Sequence, residues 1–142
     1  GNPKAYNNTN GERLFYRNHF PNLIEGNRDG KGNILIYMNG DGDTIKQSTV
    51  YEFKMPGIFN LEIDANNEPD IVWSFTNPDL FFSKISGAVR LKNGNTLITE
   101  GDYGLWEVTK EKEIVWKYKA SKNVWRAYDF SLTDAAIKNL GI

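Results

Sequence analysis

The stretch Ser86–Tyr118, SGAVRLKNGNTLITEGDYGLWEVTKEKEIVWKY, decides the fold of this chain. It contains four short runs with strand character, GAVRL, TLITE, GLWEV and IVWKY, which are separated by polar turns. Asn93-Gly94 lies at the centre of the first turn, and Asn-Gly is a strong hairpin signal because both residues accept the positive φ of a two-residue turn. Four strands in about 33 residues leave no room for a helix, so the stretch predicts an antiparallel β-meander.

An earlier part of the chain carries the same pattern in the same order. GNILI precedes VYEF and DIVWSF, just as GNTLI precedes LWEV and EIVWKY. Val72-Trp73 and Val115-Trp116 lie 43 residues apart, which is the length of a four-stranded propeller blade. We therefore predict an all-β chain of antiparallel β-propeller blades, with residues 13–78 as the first blade and 79–119 as the second. The first blade is longer because of an insertion around residues 54–60, and FNLEI, which follows Pro56-Gly57, also has strand character.

The two ends of the chain are predicted to differ from the repeats. Residues 1–12 are rich in Asn and Gly and lack periodicity, which indicates a loop or linker. Residues 120–142 are predicted to contain a closing strand, VWRAYDF, and a short helix, DAAIKNL, capped by Thr133 and followed by Gly141. Closed propellers need about four to eight blades, so this chain cannot close a ring alone. We expect the remaining blades, or copies of this chain, as its partners.

Composition limits the possible function classes. The net charge of -1 gives no electrostatic reason to expect nucleic acid or a membrane surface as a partner, and no apolar run reaches membrane-spanning length. The absence of cysteine excludes disulfides and thiolate metal sites. No phosphate-binding loop, nucleophile elbow, zinc motif or dinucleotide fingerprint occurs. Because the chain begins at Gly1 rather than Met, we expect a processed chain or a fragment.

The repeat motifs resemble those of the bacterial arylsulfotransferase family. The second repeat and the following VWRAYDF are similar to a family pattern like RLPNGNTLI…G…IFEVT…GEIVWEY followed by FRAYRY. The segment GNPKAYNNTNGERLFYRNHFPNLIEGNRDGKGNILIYMNGDG is similar to the family's QH…GNIL(V/I)F(D/N)NG blade, and the similarity runs in order from Gly1 to about Phe130. The family is a six-bladed propeller exported to the periplasm or beyond. The resemblance therefore implies the C-terminal portion of such a propeller and a periplasmic or extracellular location.

The resemblance assigns the chemistry to His19, the only histidine in the sequence. Characterised family members move a sulfuryl group from an aryl sulfate to a phenol without a nucleotide cofactor, through a transiently sulfated histidine. The histidine of the QH motif falls on His19, and Asn18 stands where the family has Gln. Cationic donors would stabilise the sulfuryl oxygens. Arg90 and Arg126 lie in matching motifs and Ser86 precedes an inner strand, so these three and Asn18 are the substrate-binding candidates.

Acidic residues suggest a second, weaker kind of site. Asn39, Asp41 and Asp43 in NGDGD could hold a loosely bound calcium ion, but a solvated loop is the better explanation of these residues. Residues 64–70 alternate like calcium ligands, but Pro69 stands where an EF-hand has its Gly. No other metal and no organic cofactor is predicted.

Two further interpretations of the repeats stay open beside the sulfotransferase. The chain could belong to a non-catalytic propeller that binds or scaffolds other molecules, or it could be a structural subunit that pairs with copies of itself through open blade edges and faces. In each case the recurring tryptophans Trp73, Trp106 and Trp116 are predicted to form the core between sheets.

Overall fold

A computed structural model describes residues 13–63, 65 and 67–141 of the chain. The described residues form an all-β structure with eight strands and one short helix. The strands are β1 Asn18–Leu23, β2 Ile34–Met38, β3 Thr49–Lys54, β4 Asp70–Phe75, β5 Gly87–Arg90, β6 Thr96–Glu100, β7 Gly104–Val108 and β8 Ile114–Lys119. The helix α1 is Ala135–Lys138. The predicted linker, residues 1–12, lies outside the described residues.

Each set of four consecutive strands forms one antiparallel sheet whose strand order equals the chain order, β1-β2-β3-β4 and β5-β6-β7-β8. The two sheets also share an irregularity. The register of the last ladder shifts after Glu52 in the first sheet and after Glu107 in the second. The two meanders predicted from GNILI and GNTLI are therefore confirmed as two sheets with the same pattern of pairing.

The turn around Asn93-Gly94 differs from the predicted two-residue turn. The amide of Leu91 donates to the carbonyl of Asn95, which leaves a three-residue loop between them. In that loop Gly94 adopts a φ of 89°, whereas Asn93 does not enter the positive region. A type I turn followed by a left-handed residue gives this geometry, and glycine adopts it with little strain.

The core lies between the two sheets, where side chains that alternate along the strands meet. Its members are Leu35, Tyr37, Val50, Trp73 and Phe75 of the first sheet, Ala88, Ile98, Trp106 and Val108 of the second, and Ile24 and Leu80 from connecting segments. The prediction of core tryptophans is confirmed for Trp73 and Trp106 and is wrong for Trp116, which is half exposed. Trp116 pairs with Glu107 on the face of the second sheet that points away from the first.

Two segments predicted as strands form none in the structure. Among the described residues, VWRAYDF, residues 124–130, makes a single backbone hydrogen bond to another segment. The amide of Val124 donates to the carbonyl of Gly101. FNLEI, residues 59–63, lies in the connection between β3 and β4, whose strands already pair with each other. A strand needs a neighbouring strand to accept and donate its backbone hydrogen bonds. The described residues contain no such neighbour for either segment.

The short C-terminal helix is confirmed, with a different start. Its N-cap is Asp134 rather than Thr133, and Gly141 lies beyond its end with a φ of 71°, as the sequence predicted. No helix in the described part of the chain is long and apolar enough to cross a membrane.

Candidate functional site

His19 lies on β1, at the edge of the first sheet and opposite Tyr37 of β2. The register shifts between His19 and Asn22, and within this irregular part Phe20 adopts a φ of 52°. Pro21 is accommodated here because an edge strand with a bulge does not need its missing N–H. The bulge therefore fixes the backbone next to His19, whose side chain is half buried.

The buried side chain of Asn39 orients the His19 ring. Asn39 directly follows β2, and its amide nitrogen lies 2.5, 2.7 and 2.7 Å from the carbonyl oxygens of Phe82, Lys84 and Ile85. Because carbonyl oxygens only accept, the amide nitrogen must face them and Asn39 Oδ1 must face His19. The distance from His19 Nδ1 to Oδ1 is 2.6 Å, so Nδ1 carries a proton and donates it.

This hydrogen bond decides which ring nitrogen of His19 can react. With the proton on Nδ1, the neutral ring holds its lone pair on Nε2, which makes no hydrogen bond to the described residues. A ring in this tautomer can act as a nucleophile or as a general base. From the sequence, Asn39 was predicted only as a weak calcium ligand, and its role beside His19 was missed. The signal for it was the position of Asn39 at the end of the strand that pairs with β1.

Ser86 belongs to the same hydrogen-bond network. Its hydroxyl accepts from the amide of Gly101 at 3.0 Å and donates to the carbonyl of Lys84 at 3.3 Å. The Lys84 carbonyl also accepts from Asn39. Ser86 is buried, so it supports the loop behind Asn39. Its predicted role in substrate binding stays a prediction.

Arg90 lies between the two sheets, and its guanidinium makes its hydrogen bonds inside the protein. Its guanidinium donates to Glu52 at 2.5 Å and to the carbonyl of Gly94 at 3.1 Å, and its central carbon lies 5.3 Å from the centroid of the Trp73 ring. A buried and paired arginine of this kind joins the sheets. The structure thus gives Arg90 a structural task, and its proposed contact to substrate stays a prediction.

Arg126 lies close to β1 although its segment is not a strand. Its guanidinium carbon is 4.7 Å from the centroid of Phe20, the residue after His19. Tyr128 also contacts the Phe20 ring edge-on, and Asp129 pairs with Arg28 at 3.1 Å. The segment lines one side of a cleft of about 250 Å³ beside β1. The exposed Asn18 begins the same strand.

The carboxylate of Asp41 accepts hydrogen bonds from the residues of its own turn. One carboxylate oxygen accepts from the amides of Asp43 and Ile45 at 2.9 and 2.7 Å, and the other accepts from the Thr44 hydroxyl. The Thr44 hydroxyl, followed by the backbone donors, lowers the pKa of Asp41 to about 2. The described residues contain no group of three acidic or imidazole side chains arranged for a metal ion. Asp64 and Asn66 of the other weak calcium motif lie outside the described residues.

The structure therefore brings His19, Asn39 and Ser86 into one network, places Arg126 against the neighbouring Phe20, and holds Arg90 between the sheets. Comparison of the chain with protein-family models, with curated proteins and with solved structures found no match.

Proposed function

We propose that this chain contributes two neighbouring blades and a nucleophilic histidine to an arylsulfotransferase-like β-propeller. The observation that carries the proposal is the hydrogen bond from His19 Nδ1 to the buried Asn39 Oδ1, which leaves the Nε2 lone pair free to react. The identical strand order and matching irregularities of the two sheets support their interpretation as blades. A periplasmic or extracellular location is part of the same proposal.

The proposed reaction consists of two transfers at Nε2 of His19. In the first, the Nε2 lone pair attacks the sulfur of an aryl sulfate and an N–S bond forms. The S–O bond to the aryl oxygen breaks, and its electron pair leaves on that oxygen, which takes up a proton from water. In the second, a phenolic oxygen that has lost its proton to solvent attacks the sulfur, and the N–S electron pair returns to Nε2. The covalent intermediate divides one difficult transfer into two easier ones.

One direct neighbour of His19 and one cation beside β1 suit this chemistry. Asn39 Oδ1 accepts from Nδ1–H, and this hydrogen bond strengthens when the sulfated ring becomes cationic. Arg126, held against Phe20, is the sequence-derived cationic candidate that lies beside β1 and is exposed. Its positive charge would stabilise the sulfuryl oxygens in the transition state. We propose Asn39 as the positioning residue and Arg126 as the cationic contact to substrate.

The test is sulfuryl transfer from 4-nitrophenyl sulfate to phenol by the protein with its complete set of blades. We expect release of 4-nitrophenol and, without acceptor, one added sulfuryl group on the peptide that contains His19. H19N should abolish both signals, while N18Q, which introduces the residue of the family motif, should retain them. Turnover that persists in H19N would refute the histidine mechanism.

A second candidate is a non-catalytic module that assembles with further sheets. It is favoured by Trp116 and Tyr118, whose stacked rings lie exposed on the outer face of the second sheet. This candidate predicts no sulfated histidine. Light scattering at several concentrations distinguishes a module that binds other molecules from a subunit that pairs with itself. For a self-pairing subunit, the measured particle mass increases with protein concentration. A folded monomer at all concentrations would contradict self-pairing.

A further inference from the structure

The outer face of the second sheet repeats the face that is buried in the first. In the aligned repeats DIVWSF and EIVWKY, Trp116 corresponds to Trp73 and Tyr118 to Phe75. Both pairs of rings stack, with centroids 6.3 Å apart in the first sheet and 6.1 Å apart in the second. Yet Trp73 and Phe75 are 9% and 3% exposed, whereas Trp116 and Tyr118 are 45% and 53% exposed. The same surface is covered in one sheet and open in the other.

The second sheet covers the first pair with two specific contacts. The indole nitrogen of Trp73 donates to the backbone carbonyl of Lys110, in the turn between β7 and β8, at 2.8 Å. The guanidinium of Arg90, on β5, lies over the same indole and pairs with Glu52. A sheet that covers this face therefore supplies one carbonyl and one arginine.

The second sheet already holds a glutamate ready for such an arginine. Glu107 corresponds to Glu52, and each accepts from the equivalent asparagine, Asn95 at 2.7 Å and Asn33 at 2.6 Å. Glu52 uses its other oxygen for Arg90. Among the described residues, the other oxygen of Glu107 has no hydrogen bond; Asn93 and Asn95 both donate to the same oxygen, Oε1.

We propose that the face formed by Leu105, Glu107, Trp116 and Tyr118 docks a further antiparallel sheet of the same repeat. That sheet gives an arginine to Glu107 and a backbone carbonyl to the indole of Trp116, as the second sheet does for the first. The inference rests on the proposed interpretation of the two sheets as neighbouring blades. It adds the surface, the contacts and the type of sheet that fits.

The first sheet of another copy does not meet this requirement. Leu23 pairs with Ile34 as Arg90 pairs with Thr96, so the first sheet has a leucine at the position of the arginine. The corresponding face of the first sheet is also in use, since Phe15 packs on Phe53 with ring centroids 5.5 Å apart. The occupant is therefore a sheet of the second type, with an arginine in its first strand.

The experiment adds such a sheet to the full chain. A second copy of residues 80–123 is inserted after Asn123, which makes the new connection as long as the one between Phe75 and Gly87. Oxidative footprinting with mass spectrometry then measures the oxidation of Trp116, with Trp73 as the internal measure of folding. We expect Trp116 to be oxidised about tenfold more slowly than in the unmodified chain, approaching Trp73.

Matched controls make the result decisive. Replacing the arginine of the inserted copy by leucine, or E107Q in the host, should weaken the protection of Trp116 and leave Trp73 protected. Unchanged oxidation of Trp116, or loss of protection at Trp73, would overturn the proposal, because a sheet that fits must cover Trp116 without unfolding its neighbour. If Trp116 of the unmodified chain became protected as the protein concentration rises, a second molecule of the same chain would be the occupant. That result would also overturn the proposal. The sulfuryl-transfer test on H19N uses a different site, so failure of either proposal is seen separately.

Discussion

Glu52 on β3 and Arg90 on β5 form an ion pair between the two sheets, with 2.5 Å between Oε2 and Nη2. Both side chains are almost completely buried, and Glu52 accepts in addition from Asn33. A buried pair of this kind contributes little compared with apolar packing, but the removal of one partner leaves the other charge uncompensated. The pair consequently makes the docking of the sheets sensitive to single substitutions.

Replacement of Arg90 by methionine should lower the free energy of unfolding by about 3–5 kcal/mol, because the Glu52 carboxylate stays buried without its partner. The double variant E52Q/R90M should recover part of this loss, since no unpaired charge remains. Urea unfolding of the two single variants and the double variant measures the coupling. Losses that simply add in the double variant would show that the two groups do not depend on each other.

Trp73 and Trp116 should respond differently to the same substitution. W73F removes the hydrogen bond to the Lys110 carbonyl and leaves space in the core, so we expect a loss of about 1–3 kcal/mol. W116F, at the corresponding exposed position, should change the free energy of unfolding by less than about 0.5 kcal/mol. Chemical denaturation of both variants makes the comparison. Equal losses would mean that the outer face is already covered in solution.

Asn39 should determine the tautomer of His19. In the unmodified protein we expect the neutral ring to carry its proton on Nδ1, as its 2.6 Å hydrogen bond to Oδ1 requires. Nitrogen-15 NMR of the imidazole reports this directly. In N39A the preference should disappear, and unfolding should become about 2 kcal/mol easier because the carbonyls of Phe82 and Ile85 lose their donor. N123A, which removes the same amide from an exposed position, is the control and should leave the free energy of unfolding nearly unchanged. A ring protonated on Nε2 in the unmodified protein would contradict the assignment.

Asp41 should titrate at low pH, with a pKa of about 2. T44V removes the hydroxyl that contributes most to this shift, so the pKa should rise toward 3.8, the ordinary value for an aspartate. Because the folded pKa lies below the unfolded one, the stabilisation of the turn is fully present above about pH 4 and is lost as the pH falls toward 2. Carboxyl carbon NMR during acid titration measures both proteins. An unchanged pKa in T44V would show that the backbone donors alone are responsible.

The sequence predicted those parts of the fold that depend on local pattern. The alternation in GNTLI and LWEV and the turn residues between them indicate strands that pair with their neighbours in the chain, and the structure forms these ladders. VWRAYDF shows the same local character but forms no strand, since the described chain provides no strand to pair with it. Trp116 was predicted to be core for the same reason. Its pattern indicates burial, but the described residues provide no sheet that covers this face.

The site was less predictable than the fold. The family motif indicated His19, and the pairing of the two strands brings Asn39 near it, but nothing in the local sequence showed that the Asn39 amide binds the loop of Phe82 and Ile85. That loop follows in the chain by more than 40 residues and reaches Asn39 only when the sheets pack together. Arg90 shows the reverse case, since its motif suggested a substrate contact and its buried partners come from the other sheet.

The identity of strand order and chain order also constrains the folding pathway. Every ladder joins strands that are consecutive in the sequence, so each sheet can form by short-range loop closure before the two sheets meet. During synthesis the first sheet can complete its ladders while the second is still being translated. In this order of events Trp73 would stay exposed until the turn at Lys110 is made and accepts the indole hydrogen bond. We therefore expect the non-local event in folding to be the docking of the two sheets, and we expect substitutions at Glu52 or Arg90 to change the rate of docking more than the rate at which either sheet forms.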